Sequence, residues 1–303
     1  MPRIFSGYPY GVVMMVLCLM MMAGHAAADD PAVAVVVSRK IRPYVQVTEG
    51  ILDQVSQKGV AADVFFLSPG DDTVTSQVKT RILDGAYDLA AAVGPEAAAL
   101  TWETGFSGKK FYAALLDPAA VHQLPEDACG ITLRIPVPVQ IETLADTFPS
   151  LQKIGLLFDP NHNQWFFDLA VSAVETRQVS FEIIPLAVTA RNRIALVLNE
   201  NLGDIDAVWM IPDPTVISEK LIQYVIKQAL YANAGVIGYN AYFTRAGAFF
   251  SFEFDYQVLG RQAGDAILDV LSGKTCTRKP PVFDTRINLK VVEKLGLKVE
   301  ATP

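Results

Sequence analysis

The sequence predicts an α/β protein built as two doubly wound parallel-sheet lobes in tandem, and three observations carry that prediction. Short β-branched runs bounded by Gly, Pro and Asp alternate with longer stretches of helical apolar spacing, the pattern of parallel sheets covered on both faces. The alternation restarts after Pro136-Val137-Pro138. The chain, at 303 residues with a net charge of −7, is long enough for two cores of ordinary domain size.

Residues 1–28 read as a secretory signal peptide. Arg3 is the only charge before Asp29, Gly11–Ala23 is an uninterrupted apolar run, and Ala26-Ala27-Ala28 places small residues at the −3 and −1 positions of a cleavage site. The run falls short of the about 20 apolar residues that cross a bilayer, so cleavage near Ala28 and release into the periplasm are expected. Cys18 follows bulky Leu17 and does not look like a lipid attachment site.

In the first unit, Ala32–Ser38 reads as a buried strand, Tyr44–Lys58 as a helix, Ala61–Leu67 as a strand and Thr73–Leu83 as a helix. Asp88–Val93 is a third strand, Pro95–Trp102 a helix, and Lys110–Leu116 and Gly130–Ile135 are two more strands. The second unit repeats the scheme. It runs through helix Gln140–Phe148, strand Lys153–Phe158, helix Asn163–Arg177, strand Ser180–Leu186, helix Arg191–Asn199, strand Ala207–Ile211, helix Pro214–Ala232 and strand Gly235–Tyr239. A further strand, Gly247–Phe254, leads through Asp255 directly into a helix. The remaining segment, about 60 residues, is too short for a third domain and fits as returns that complete the lobes. The expected division is 29–135 plus about 245–273 for the N-terminal lobe, and 136–244 plus about 274–303 for the C-terminal lobe.

Composition excludes several classes. An acidic chain without a basic run is a poor nucleic-acid partner. His122 and His162 have no Cys, His or carboxylate at metal-ligand spacing, so neither a metal nor another cofactor is expected. There is no Gly-x-Ser-x-Gly elbow, and no His near a candidate nucleophile. Glu96 or Glu253 paired with an Asp could in principle do acid–base work, but such a pair needs a geometry that spacing does not supply, and an enzyme is not expected. Cys129 and Cys276 remain after signal removal. An oxidising compartment allows them to pair, but spacing does not decide whether they meet.

Ligands of doubly wound sheets sit beyond the carboxyl ends of the strands. Here those ends are Gly94-Pro95, Asp117-Pro118, Asp159-Pro160-Asn161 and Asp213-Pro214-Thr215. Each Asp-Pro also suits a helix start, with Pro at the first position and Asp accepting orphan amides. As a set, Asp117, Asp159, Asp213 and Asp255 would face one cleft and need compensating cations, such as a ligand ammonium or Arg39 beside Ser38. The Asp-free turn at Gly94-Pro95-Glu96 leaves amides open for a carboxylate. Together these describe an amino acid zwitterion. Tyr44, Trp165 and Tyr239-Asn240 offer walls for a ring, and Tyr256 fits either hinge packing or a ligand contact. The ligand-binding set is therefore Ser38, Arg39, Gly94, Pro95, Asp117, Asn161, Trp165, Asp213, Tyr239, Asn240 and Asp255. Gly260 and Gly264 lie inside a helix and read as a close-packing device, not as a phosphate loop.

Six stretches carry a family resemblance: DLAAAVGPEAA from Asp88, YAALLDPAAV from Tyr112, LQKIGLLFDPN from Leu151, Asp206–Asp213, FDYQVLGRQAG from Phe254 and INLKVVEKLGL from Ile287. In this order the chain resembles the ABC-transporter substrate-binding proteins of the tryptophan/tyrosine type, bilobed periplasmic receptors of the type I binding-protein fold. The resemblance implies a hinge of several crossovers, with Asp255 where the chain re-enters the first lobe. It also implies a monomer that closes on a small-molecule solute and presents it to an ABC permease and its ATPase. Family members usually carry a hydroxyl residue before Pro95, where this chain has Gly94. Its first turn, Ser38-Arg39-Lys40-Ile41-Arg42-Pro43, is also unusual. A secreted ligand-sensing domain that partners a membrane receptor is the alternative the same fold would serve.

Overall fold

The computed structural model describes residues 32–300; the expected signal peptide lies outside the described residues. The first lobe runs β1 (Ala32–Val37), α1 (Arg42–Ser56), β2 (Ala61–Phe66), α2 (Asp72–Asp84), β3 (Leu89–Val93), α3 (Pro95–Glu103), β4 (Lys109–Leu115) and β5 (Gly130–Thr132). Its sheet is parallel throughout, in the order β2-β1-β3-β4-β5. The continuous apolar run of β1 follows from this architecture. Val33, Val35 and Val37 enter one core layer, Ala34 and Val36 the opposite one, so both faces of a strand with period two are buried.

The second lobe follows with α4 (Val137–Thr147), β6 (Lys153–Phe158), α5 (Pro160–Arg177), β7 (Glu182–Ala187), α6 (Ile194–Asn201), β8 (Ala207–Met210), α7 (Glu219–Tyr231), β9 (Gly235–Gly238), α8 (Ala241–Ala246) and β10 (Phe250–Glu253). The chain then forms α9 (Tyr256–Leu271), β11 (Asp284–Ile287) and α10 (Leu289–Leu295). The second sheet has the order β11-β10-β9-β8-β6-β7. It is parallel except at its edge, where β11 pairs antiparallel to β10. Helix α7 starts later than the sequence suggested. Pro214–Val216 form a turn instead, and Ser218 caps the helix by accepting from the Leu221 amide at 3.2 Å.

The lobe boundaries need two corrections. The strand at 250–253 belongs to the second sheet, beside β9, so the return to the first lobe begins at α9 and not near residue 245. Residues 276–279 stay with the first lobe: the Lys279 amide donates to the Gly130 carbonyl at 2.9 Å, and the Thr132 amide to the Lys279 carbonyl at 3.2 Å. Only after Pro280-Pro281 does the chain cross again to form β11. Three crossovers therefore join the lobes, at 133–136, at 254–255 and at 280–283.

Helix α9 lies on α1 at close range, and glycine is what permits it. Cβ atoms on Gly50 and Gly260 would strike the backbone carbonyls of Gln257 and Val47, and one on Gly264 the Gln54 side chain. A disulfide joins Cys129 before β5 to Cys276 after α9, with the Cα atoms 5.5 Å apart and 147 residues between them in sequence. Closing so long a loop in the unfolded chain stabilises the folded state by about 2–4 kcal/mol. Among the described residues no helix is long and apolar enough to cross a membrane.

Candidate functional site: the cleft between the lobes

A cavity of about 390 Å³ opens where the lobes and crossovers meet, a volume within the range of small-molecule sites. The first lobe supplies Leu116 and Asp117 at the end of β4, and the first crossover supplies Leu133, Arg134 and Ile135. Phe254 and Tyr256 come from the second crossover and the start of α9. The second lobe supplies Gln140, the first turns of α5 from His162 to Phe166, Trp209 and Ile211 around the end of β8, Tyr239-Asn240 after β9, and Phe252. The lining is strongly aromatic. Its rings brace one another edge to face, Phe166 on Trp209 at 5.3 Å and Trp165 on Phe166 at 5.5 Å between centroids, an arrangement favoured by the ring quadrupoles.

Of the residues expected from sequence, Asp117, Trp165, Tyr239 and Asn240 line this cavity. Burial, and after it the charge of Asp213, pushes the Tyr239 phenol up, so it faces neutral solution as a hydroxyl. Asn240 caps α8, its Oδ1 accepting from the Tyr242 amide at 2.9 Å.

Asp213 does not line the cavity. It is 1 % exposed and already accepts four hydrogen bonds. Oδ1 takes the amides of Thr215 (2.8 Å) and Val216 (3.3 Å), and Oδ2 takes the Asp159 amide and Asn163 Nδ2, both at 2.8 Å. A carboxylate has about four lone-pair sites, so nothing is left for a ligand ammonium. Asp159 is tied in reciprocally. It accepts from the Thr215 hydroxyl at 2.7 Å and the Asn161 amide at 2.9 Å. The two acids thus knot the turn after β6 to the turn after β8. Helix α5 departs from helical geometry at Asn163 (φ −131°, ψ 23°), where the side chain turns to Asp213. Asn161 itself is exposed. Asp255 is exposed as well and serves as N-cap of α9, accepting from the amides of Gln257 at 2.9 Å and Val258 at 3.0 Å.

The first-lobe turns are also spent internally. Ser38 is buried, and its Oγ accepts from the Ala97 amide at 2.8 Å. Gly94 has φ 89°, and a Cβ there would meet Ser38 Oγ and the Tyr44 ring; Pro95 then opens α3. Arg39 pairs with Glu96 through Nε and Nη2. Partial burial pushes Glu96 up, but the Arg39 hydrogen bond and charge outweigh it and hold the carboxyl below its ordinary value. Its Oε2 is buried without a hydrogen-bond partner among the described residues. The helix start expected to receive a carboxylate therefore already holds one. Ser38, Arg39, Gly94, Pro95, Asn161, Asp213 and Asp255 all lie outside the lining of the cavity. Glu253, an acid–base candidate, is held instead by Arg286 at 2.9 and 3.0 Å.

One charged residue went unread in the sequence. Arg134 stands 4.3 Å from the centroid of the Trp165 ring, with Nη2 3.3 Å from Asp117 Oδ1. It thus touches the first lobe through Asp117 and the second through Trp165. No group of three or more His, Cys, Asp or Glu able to hold a metal ion occurs among the described residues.

The model of the family "ABC transporter substrate binding protein" matches residues 32–302. Solved structures of similar fold include a conserved domain protein from Vibrio cholerae (18% identity, 89% of this chain and 96% of that one, TM-score 0.59). Another is an ABC domain in complex with L-Trp from Streptococcus pneumonia (20% identity, 89% and 95%, TM-score 0.57). A third is a ligand-free, open substrate binding protein with adhesive properties from Clostridium difficile (16% identity, 88% and 95%, TM-score 0.72). At these identities the likeness is one of fold. No curated protein matches the chain.

Proposed function

The chain belongs to the ABC transporter substrate binding protein family, and from that premise we propose that it is the periplasmic solute-binding component of an ABC importer. The solute is a small molecule, an amino acid or a relative of one, aromatic rings included, and the partners are a membrane permease and its ATPase. The observation that carries this reading is the aromatic cavity of about 390 Å³ whose walls come from both lobes and from two crossovers. Catalysis has no part in it.

The mechanism is a population shift. A solute that touches both lobes only when they close stabilises the closed state by its differential affinity. Apolar surface at the cavity favours closure too: Leu116 is 45 % exposed and Ile217 42 % exposed, and closing the lobes would remove such surface from water. The closed monomer with its solute would then be the form presented to the permease.

Thermal denaturation of the mature protein against a panel of amino acids and aromatic solutes, combined with small-angle scattering, tests this. A solute that raises Tm should also lower the radius of gyration. Binding without compaction would remove hinge closure, and no binding by any small solute would remove the transport reading.

A further inference from the structure

We propose that the solute is an aromatic carboxylate anchored on Arg134, and that it needs no ammonium group. This rests on the cleft being the solute site and adds what kind of solute it takes. Arg134 is the one Lys or Arg that lines the cavity among the described residues. None of its side-chain N–H groups makes a hydrogen bond among those residues. Its contacts are the Trp165 ring at 4.3 Å and the Asp117 carboxylate at 3.3 Å. The Arg134 and Asp117 side chains are 38 % and 50 % exposed, and so solvated a pair holds together weakly. A carboxylate entering from the cavity can replace it with two parallel, charge-assisted hydrogen bonds to the guanidinium fork, while Trp165 keeps the fork in place from its face.

The other places for either charge are taken. At the start of α3 the Ala97 amide is held by Ser38 Oγ, and the Glu96 carboxylate stands beside it, which repels an anion. Asp213 accepts four hydrogen bonds, and Asp159, buried and held by Thr215 and Asn161, lies like Asp213 outside the lining of the cavity, so neither is placed to receive an ammonium. Asp117 alone remains, half in water, where an ammonium gains little. The rest of the wall is mainly aromatic and aliphatic, with Gln140, His162, Asn163 and Asn240 as its polar members, and suits a flat, largely apolar body.

Isothermal titration calorimetry on the mature protein tests this with three rings, phenyl, 4-hydroxyphenyl and indole. Each ring is offered as its 3-propionate, as its L-α-amino acid and as its ethylamine. At least one propionate should bind, within about fivefold of the matching amino acid, and the ethylamines should not. Arg134→Gln should weaken carboxylate binding by about 10- to 100-fold, as the loss of a hydrogen bond to a charged group does, and Arg134→Lys should recover part of it. The proposal falls if no propionate binds, if an amino acid binds where its propionate does not, if an ethylamine binds as tightly, or if Arg134→Gln leaves affinity unchanged. A neutral or cationic solute that binds and compacts the protein would sink this proposal and leave the transport reading standing. Failure of every solute to compact it would sink that reading instead.

Discussion

The guanidinium of Arg134 lies 4.3 Å from the centre of the Trp165 ring, so a residue of the first crossover and one on helix α5 of the second lobe meet across the cleft. Trp165 is 36 % exposed, although a ring of this size gains much from burial. Its position gives one face to Arg134 and leaves the rest of the ring for a solute.

Trp165→Ala should therefore weaken binding of a ring-bearing solute by about tenfold, the scale of one aromatic contact, and Trp165→Phe by less. Calorimetric titration checks this. An affinity within twofold of the wild type in the alanine variant would take Trp165 out of the solute's wall.

Two of the acids that first looked like ligand contacts should behave as structural groups of very different weight. Asp213→Ala orphans the amides of Asp159 and Thr215 and leaves Asn163 Nδ2 only the Pro212 carbonyl at 3.4 Å, and at about 1–3 kcal/mol per buried orphan should destabilise the protein by about 2 kcal/mol or more. Asp255→Ala removes a single helix cap and should cost about 1 kcal/mol without changing solute affinity. Urea denaturation separates the two. Equal losses would contradict the hydrogen-bond accounting.

The seam between α1 and α9 makes a third prediction. Gly260→Ala would push a methyl into the Val47 carbonyl and should destabilise by about 3 kcal/mol, at the upper end of overpacking costs. Gly203→Ala, where a Cβ meets nothing within 4 Å, should change stability by under about 0.5 kcal/mol. Comparable melting temperatures for the two variants would show that the helices do not need their close approach.

Acid should weaken the second lobe through Asp159. Burial alone would raise its carboxyl, but the hydrogen bonds from the Thr215 hydroxyl and the Asn161 amide outweigh burial and lower it. A carboxyl lowered in the fold contributes stability that is fully present above its unfolded value of about 3.9. That contribution is lost as pH falls through the lower folded value. Denaturation midpoints measured from about pH 6 down to about pH 2 should fall, and Asp159→Asn should flatten that limb. An unchanged slope in the variant would place the acid sensitivity elsewhere.

The alternation of strands and helices was readable because burial on both faces of a parallel sheet leaves continuous apolar runs such as Val33–Val37. Which sheet a late strand joins was not readable. Phe250–Glu253 is as apolar as any strand of either lobe, and only its pairing with β9 assigns it. Asp117, Trp165, Tyr239 and Asn240 could be picked out because they follow strand ends. Asp213 and Asp255 obey the same rule, yet their oxygens are consumed by backbone amides, a competition that residue type alone does not resolve. Arg134 was absorbed into an expected strand, Gly130–Ile135, whereas pairing ends at Thr132. A lone Arg between Leu133 and Ile135, just before Pro136, was the one available signal. Trp209, Phe166 and Phe252 look like core in sequence because the spacing of a strand or helix does not tell a cleft wall from an interior one.

The exchange of late segments between the lobes has a consequence for how the chain is made. Strands β1 to β5 are complete once Thr132 is synthesised, yet the helix that covers α1 arrives with Tyr256–Leu271 and its covalent tie with Cys276. At about 5–20 residues per second, the first lobe waits several seconds or more with its glycine seam bare, while the second lobe has a shorter wait, from β10 to β11. A chain cut before Tyr256 leaves both lobes unfinished, the first without its covering helix and the second without β11. Completion of both lobes is thus deferred to the segments that follow Phe254.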